Sequence, residues 1–191
     1  MPITRKNSPI LVIIGPSGAG KSTVVKRLAS KGLILVNPTW TTRPPRPREI
    51  EESVEHRFIS KVEFSKLEKQ GFFLECVDMF GLPYRYGLPK VVPSTLRQVS
   101  VVMLRSVLIP RFNKYYPNHV IYQIEDELSQ VRLRLLDRQQ KGEKLGTRLE
   151  DYQTEVAAGR KYANRIFINS KSIDLLASQV EQAIGQDLTK P

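Results

Sequence analysis

Ile10 to Ile14 is an unbroken apolar run rich in β-branched residues, bounded by Pro9 and Gly15. Such a run predicts a strand buried on both faces, as in a parallel sheet. From Lys21 to Lys31 the apolar residues Val24, Val25 and Leu28 fall at helical spacing, and Gly32 ends the segment. Leu33 to Val36 reads as a second short strand before Pro38. Strand, glycine-rich turn, helix and strand in this order predict the opening of a doubly wound α/β domain.

Beyond Pro38 the pattern changes. Thr39 to Pro47 is rich in proline and arginine, which excludes a regular helix. His56 to Ser60, Phe72 to Val77 and Tyr84 to Leu88 are candidate strands of a small sheet. Between the first two, Lys61 to Gln70 has helical spacing closed by Gly71. Val99 to Leu104 and His119 to Ile124 are strongly apolar and predict central strands. Leu128 to Arg138 reads as a helix carrying arginines, Gln139 to Thr147 as a polar loop, and Arg148 to Ala163 as a helix. Arg165 to Asn169 predicts a last strand and Ser172 to Ile184 a closing helix. No internal repeat or low-complexity tract interrupts this order.

A chain of 191 residues with 40% hydrophobic and 26% charged residues suits one globular domain with a good-sized core. No stretch approaches the ~20 apolar residues of a membrane span. Met1 to Pro9 is basic but lacks a signal-peptide core. Cys76 is the only cysteine, so no disulfide framework exists, and a cytoplasmic, reduced setting is expected. The net charge of +11 calls for an anionic partner. Its arginines concentrate in Arg43 to Arg48 and Arg132 to Arg148, which suits one phosphorylated small molecule better than a polymer. The aromatic-basic interleaving of a nucleic-acid stacking surface is missing.

The strongest chemical signal is Gly15-Pro16-Ser17-Gly18-Ala19-Gly20-Lys21-Ser22, a full G-x-x-x-x-G-K-[ST] phosphate loop, followed by Thr23. Its glycines let backbone N–H groups face a phosphate, and the following helix adds its positive dipole end. Lys21 is expected to reach the β- and γ-phosphates of ATP, and the Ser22 hydroxyl to ligate Mg2+. The strand before the loop and the helix after it are the context this chemistry requires.

The acceptor side is marked by Thr41-Thr42-Arg43-Pro44-Pro45-Arg46-Pro47-Arg48-Glu49. Two arginines three apart on a stiff stretch present guanidinium forks suited to a phosphate dianion. With both segments present, the chain resembles the guanylate kinase family nearly end to end. The likeness includes Gly15 to Thr23, Thr41 to Glu49, Phe72 to Glu75, Tyr86-Gly87, Arg134 with Arg138, Arg148 with Glu155, and Ile166 to Asn169.

The resemblance implies a P-loop NTPase fold: a five-stranded parallel sheet with helices on both faces, its core formed by 9–38, 99–136 and 149–186. It implies an acceptor-binding insertion over 39–98 and a lid over 137–148. It further implies ATP-dependent phosphorylation of a nucleoside monophosphate, GMP foremost. Arg43, Arg46 and Tyr86 would hold the acceptor phosphate, with His56 in place of the family's tyrosine. Glu75 and Thr39 would contact the guanine. Arg134, Arg138 and Arg148 would close on the transferring phosphoryl group, and Asn169 would lie near the adenine.

The chain departs from the family pattern in three ways: at His56, at Leu88 where the family has a serine or threonine, and at Met103 with Arg105 where it has Asp-x-Asp. An arginine at 105 suits additional negative charge on the acceptor. Ribose 1,5-bisphosphate kinases, similar in fold, share that feature. A sugar-phosphate kinase and a non-catalytic guanylate-kinase-like binding module therefore stand as alternatives. The oligomeric state is not readable.

Overall fold

The computed structural model describes residues 9–46, 49–50, 53–78, 83–95, 97–137 and 145–188. In chain order the strands are β1 (Ile10–Ile14), β2 (Ile34–Asn37), β3 (Thr39–Thr41), β4 (His56–Phe58), β5 (Phe73–Asp78), β6 (Arg85–Pro89), β7 (Val99–Met103), β8 (His119–Glu125) and β9 (Arg165–Ile168). The helices are α1 (Lys21–Ser30), α2 (Lys61–Lys69), α3 (Ile109–Tyr115), α4 (Leu128–Asp137), α5 (Leu145–Arg160) and α6 (Ile173–Asp187).

Five strands form one sheet in the order β2-β7-β1-β8-β9, and every pair in it is parallel. β1 lies at the centre, with Ile13 in register with Met103 on one side and Tyr122 on the other. Alternation along β1 splits the core. Leu11 and Ile13 pack with Val24 and Leu28 of α1 and Leu176 and Val180 of α6. Ile10, Val12 and Ile14 pack with Ile109 and Phe112 of α3 on the other face. Both faces are covered, which is why β1 reads as continuous rather than alternating hydrophobicity.

The remaining strands form a second sheet in the order β4-β3-β6-β5, with β3 and β4 parallel and the other pairs antiparallel. This sheet falls within the insertion expected over 39–98. Leu88 of β6 and the following Val91 join the Val12–Phe112 cluster, so the two sheets share apolar packing.

Three local features differ from the sequence expectation. β3 forms at Thr39–Thr41, where no strand was expected, as the fourth strand of the small sheet. Helix α3 is short and its periodicity spans too few turns to stand out; Pro110 sits in its first turn, where its fixed φ and missing N–H cost nothing. Helix α5 starts at Leu145, inside the segment expected to be a loop through Thr147. Extending an existing helix adds one hydrogen bond per residue fixed, so a polar, glycine-containing flank is recruited by the helix that follows it. Among the described residues, no helix is long and apolar enough to cross a membrane.

Candidate active site

The phosphate loop leaves the carboxyl end of β1, with α1 starting at its far side. Gly15 has φ 131°, and a Cβ there would stand 2.1 Å from the Ile124 carbonyl oxygen, so the turn into the loop admits only glycine. Lys21 Nζ donates to the carbonyl oxygens of Gly15 at 2.7 Å and Pro16 at 2.9 Å, which folds the ammonium back over the loop. Two residues expected at the ATP site brace the loop from outside. Arg134 donates to Gly18 O at 2.8 Å and to the buried Asp126 carboxylate at 2.5 Å. Asn169 Nδ2 donates to Ala19 O at 3.1 Å.

The Ser22 hydroxyl donates to a carboxylate oxygen of Glu55, just ahead of β4 in the second sheet. Burial alone would raise Glu55. His56, Lys21, the Ser22 hydrogen bond and Arg46 outweigh it and hold this carboxyl at about 2. It is therefore an anion throughout the neutral range, and it responds to the phosphate-loop lysine and an acceptor-side arginine together.

Arg43 and Arg46 converge as their spacing predicts. Arg43 is 2% exposed and donates in fork geometry to both oxygens of Glu49, at 2.9 and 3.0 Å. Arg46 reaches the same carboxylate through its backbone N–H at 2.8 Å and its side chain at 3.0 Å. Burial of Glu49 works against ionisation, but the Arg43 and Arg46 contacts prevail and keep its carboxyl below the ordinary 4.5. The Arg43 guanidinium also lies 5.2 Å from the Phe58 ring centroid. Tyr86, cross-strand from Thr41, is buried close to Arg43. His56 Nδ1 is 2.7 Å from the Thr39 hydroxyl, and its ring meets Tyr86 edge-on at 5.7 Å. Burial holds the His56 imidazole below 6.5. Thr39, Arg43, Arg46, His56 and Tyr86 thus form one polar group on the second sheet.

Glu75 stands apart from this group on β5, where Arg111 of α3 lies 3.4 Å from its carboxylate. Its cross-strand partner is Leu88, one of the departing positions, which is buried in the apolar cluster. Met103 is buried in the core at the carboxyl end of β7. Arg105, two residues on, donates to Asp151 and, at 3.1 and 3.2 Å, to Glu155, both on α5. Glu155 also accepts from the Ser106 N–H at 2.6 Å. Arg105, expected to add charge for the acceptor, takes part in an ion-pair cluster that ties the end of β7 to α5.

Arg138 lies outside the described residues. Arg148 is in the first turns of α5.

Glu49, Glu55, Asp126 and Arg111 received no role from the sequence. Glu49 could have been found in part, since it ends the arginine-proline segment and lies three residues, one turn's reach, from Arg46. Glu55 carries no local signal: it is 33 residues from Ser22 and meets it only because β4 lies beside β3.

This arrangement agrees with what the chain resembles among known proteins. The family model described as guanylate kinase matches residues 7–101, ending just before Met103. The chain is 30% identical over 180 residues to the guanylate kinase of Thermosynechococcus vestitus, an alignment covering 91% of this chain and 93% of that protein. It is 32% identical over 178 residues to the guanylate kinase of Chlamydia felis, covering 88% and 85%. The crystal structure of guanylate kinase from Anaplasma phagocytophilum superposes with a TM-score of 0.73 at 21% identity, over 100% of this chain and 90% of that one, which supports the fold. A full phosphate loop at the head of a parallel sheet, a paired-arginine second sheet and similarity over nine-tenths of both chains lead to one conclusion: the chain belongs to the guanylate kinase family.

Proposed function

We propose that this protein transfers the γ-phosphoryl group of ATP to the phosphate of GMP, yielding ADP and GDP. The observation that carries this reading is the contact made by Glu55: its carboxylate accepts from Ser22 of the phosphate loop and lies beside His56 of the acceptor group. Donor loop and acceptor arginines therefore bound one space, as in-line transfer between two phosphates requires.

In this reading Lys21 leaves the Gly15 and Pro16 carbonyls to neutralise the β- and γ-phosphates. Arg43 and Arg46 exchange the singly charged Glu49 carboxylate for the acceptor phosphate dianion, with Tyr86 and His56 beside them. Thr39 and Glu75 read the base. Arg134 and Asn169, bonded to the Gly18 and Ala19 carbonyls, hold the loop in shape around ATP. Arg138 and Arg148, in the segment 137–148, close over the transferring group and exclude water. The Ser22 hydroxyl is a hard oxygen donor and fits Mg2+, which it would hold together with phosphate oxygens. When bound, that ion offsets charge on the β- and γ-phosphates.

The test is ADP release from Mg-ATP with GMP, dGMP, AMP, UMP and ribose 1,5-bisphosphate as acceptors. Turnover highest on GMP is expected, falling about a hundredfold or more in Lys21→Met. Turnover on the sugar bisphosphate alone, or unchanged turnover in Lys21→Met, overturns the reading.

A further inference from the structure

Met103 and Arg105 leave the carboxyl end of β7 without an acidic side chain: the first is buried in apolar packing and the second is a cation held by Asp151 and Glu155. A divalent ion beside Ser22 would meet no anionic protein group from that strand. A carboxylate from next to the second sheet, Glu55, is already bonded to the Ser22 hydroxyl. We propose that Glu55 is the carboxylate of the Mg2+ site, a positioning residue that supplies from the second sheet the negative charge that β7 does not.

The physical case has three parts. A serine hydroxyl binds a cation through an oxygen lone pair, and its own proton must then point elsewhere. Glu55 accepts that proton, which fixes the hydroxyl with its lone pairs available to the ion, the role played by outer-sphere carboxylates at other metal sites. Mg2+ is a hard cation usually held by one or two carboxylates together with substrate phosphates. The Glu55 side chain is partly exposed, at 27%, so water and nucleotide can share the space around it. Finally, Glu55 precedes β4, whose neighbour β3 leads into the Arg43–Arg46 segment. A metal site completed by Glu55 would couple ion binding to the placement of the acceptor sheet.

This inference rests on the nucleotide-site reading above, and one set of titrations separates their failures. Mn2+, detected by electron paramagnetic resonance, is titrated into the ADP complex of the full chain and of Glu55→Gln and Glu55→Asp. ADP binding without metal is measured in parallel. Glutamine still accepts the Ser22 proton but carries no charge. The expected result is Mn2+ affinity lowered about tenfold or more in Glu55→Gln, with metal-free ADP affinity unchanged and Glu55→Asp recovering part of the loss. Equal Mn2+ affinity in the original chain and Glu55→Gln overturns the proposal. So does a matching fall in metal-free ADP affinity, which would mean a distorted loop. If the original chain binds no ADP with or without metal, the nucleotide-site reading and this proposal fall together.

Discussion

Glu49 illustrates how one side chain can organise a site it was not expected to join. Its two oxygens serve Arg43 and Arg46 at once, and Arg43 is almost fully buried. Removing the charge leaves a buried guanidinium without its main anion, a loss of about 2–4 kcal/mol in Glu49→Gln. The pH dependence has a definite sign. Because the folded-state carboxyl lies below its ordinary 4.5, its contribution is full above that value and is lost as pH falls through the lowered one. Thermal melts of the two proteins should therefore differ at pH 7 and begin to converge only as pH falls from 4.5 through that lowered value. A difference that persists undiminished in acid would remove Glu49 as the stabilising anion. In the reaction proposed above, the acceptor phosphate would take the place of this carboxylate, and the Glu49 contacts hold the two guanidinium groups together beforehand.

At the scale of elements, the Arg105 cluster fixes the position of α5. The segment leading into that helix was expected to act as a lid, so the anchorage of its far end matters to any movement. Glu155 is 4% exposed and accepts from both Arg105 and the Ser106 N–H. Arg105→Met would strand that buried carboxylate with one partner fewer, costing about 2–4 kcal/mol. Hydrogen exchange should rise first in α5 and leave α1 protected. Weaker acceptor binding with α5 protection unchanged would instead support the acceptor role that the sequence position of Arg105 suggests. The sequence could not distinguish the two, since an arginine after a central strand looks alike whether it faces a phosphate or a helix carrying Asp151 and Glu155.

For the whole molecule, the question is whether the two sheets form one cooperative unit. Leu88 and Val91 pack with Val12, Val102 and Phe112, and Glu55 bonds across to Ser22. Trp40, the only tryptophan, reports on the second sheet alone: its ring lies 4.3 Å from the Arg57 guanidinium and 4.9 Å from Phe72. In a urea titration its fluorescence should change together with far-UV circular dichroism, with coincident midpoints. A separate, earlier fluorescence transition would show that the acceptor sheet melts by itself.

By itself the sequence determined the phosphate loop, the parallel strands around it, the paired arginines and the family. Each is written in contiguous residues: a steric need for glycine at Gly15, unbroken apolar runs for strands covered on both faces, and two guanidinium groups at fixed spacing on a stiff segment. Tertiary structure alone decided which carboxylates serve those groups. Glu55 reaches Ser22 across 33 residues and Glu155 reaches Arg105 across 50. Such pairings follow from strand order and register, which bring distant backbone together, and no local pattern of residues encodes the meeting of two side chains from different sheets or layers.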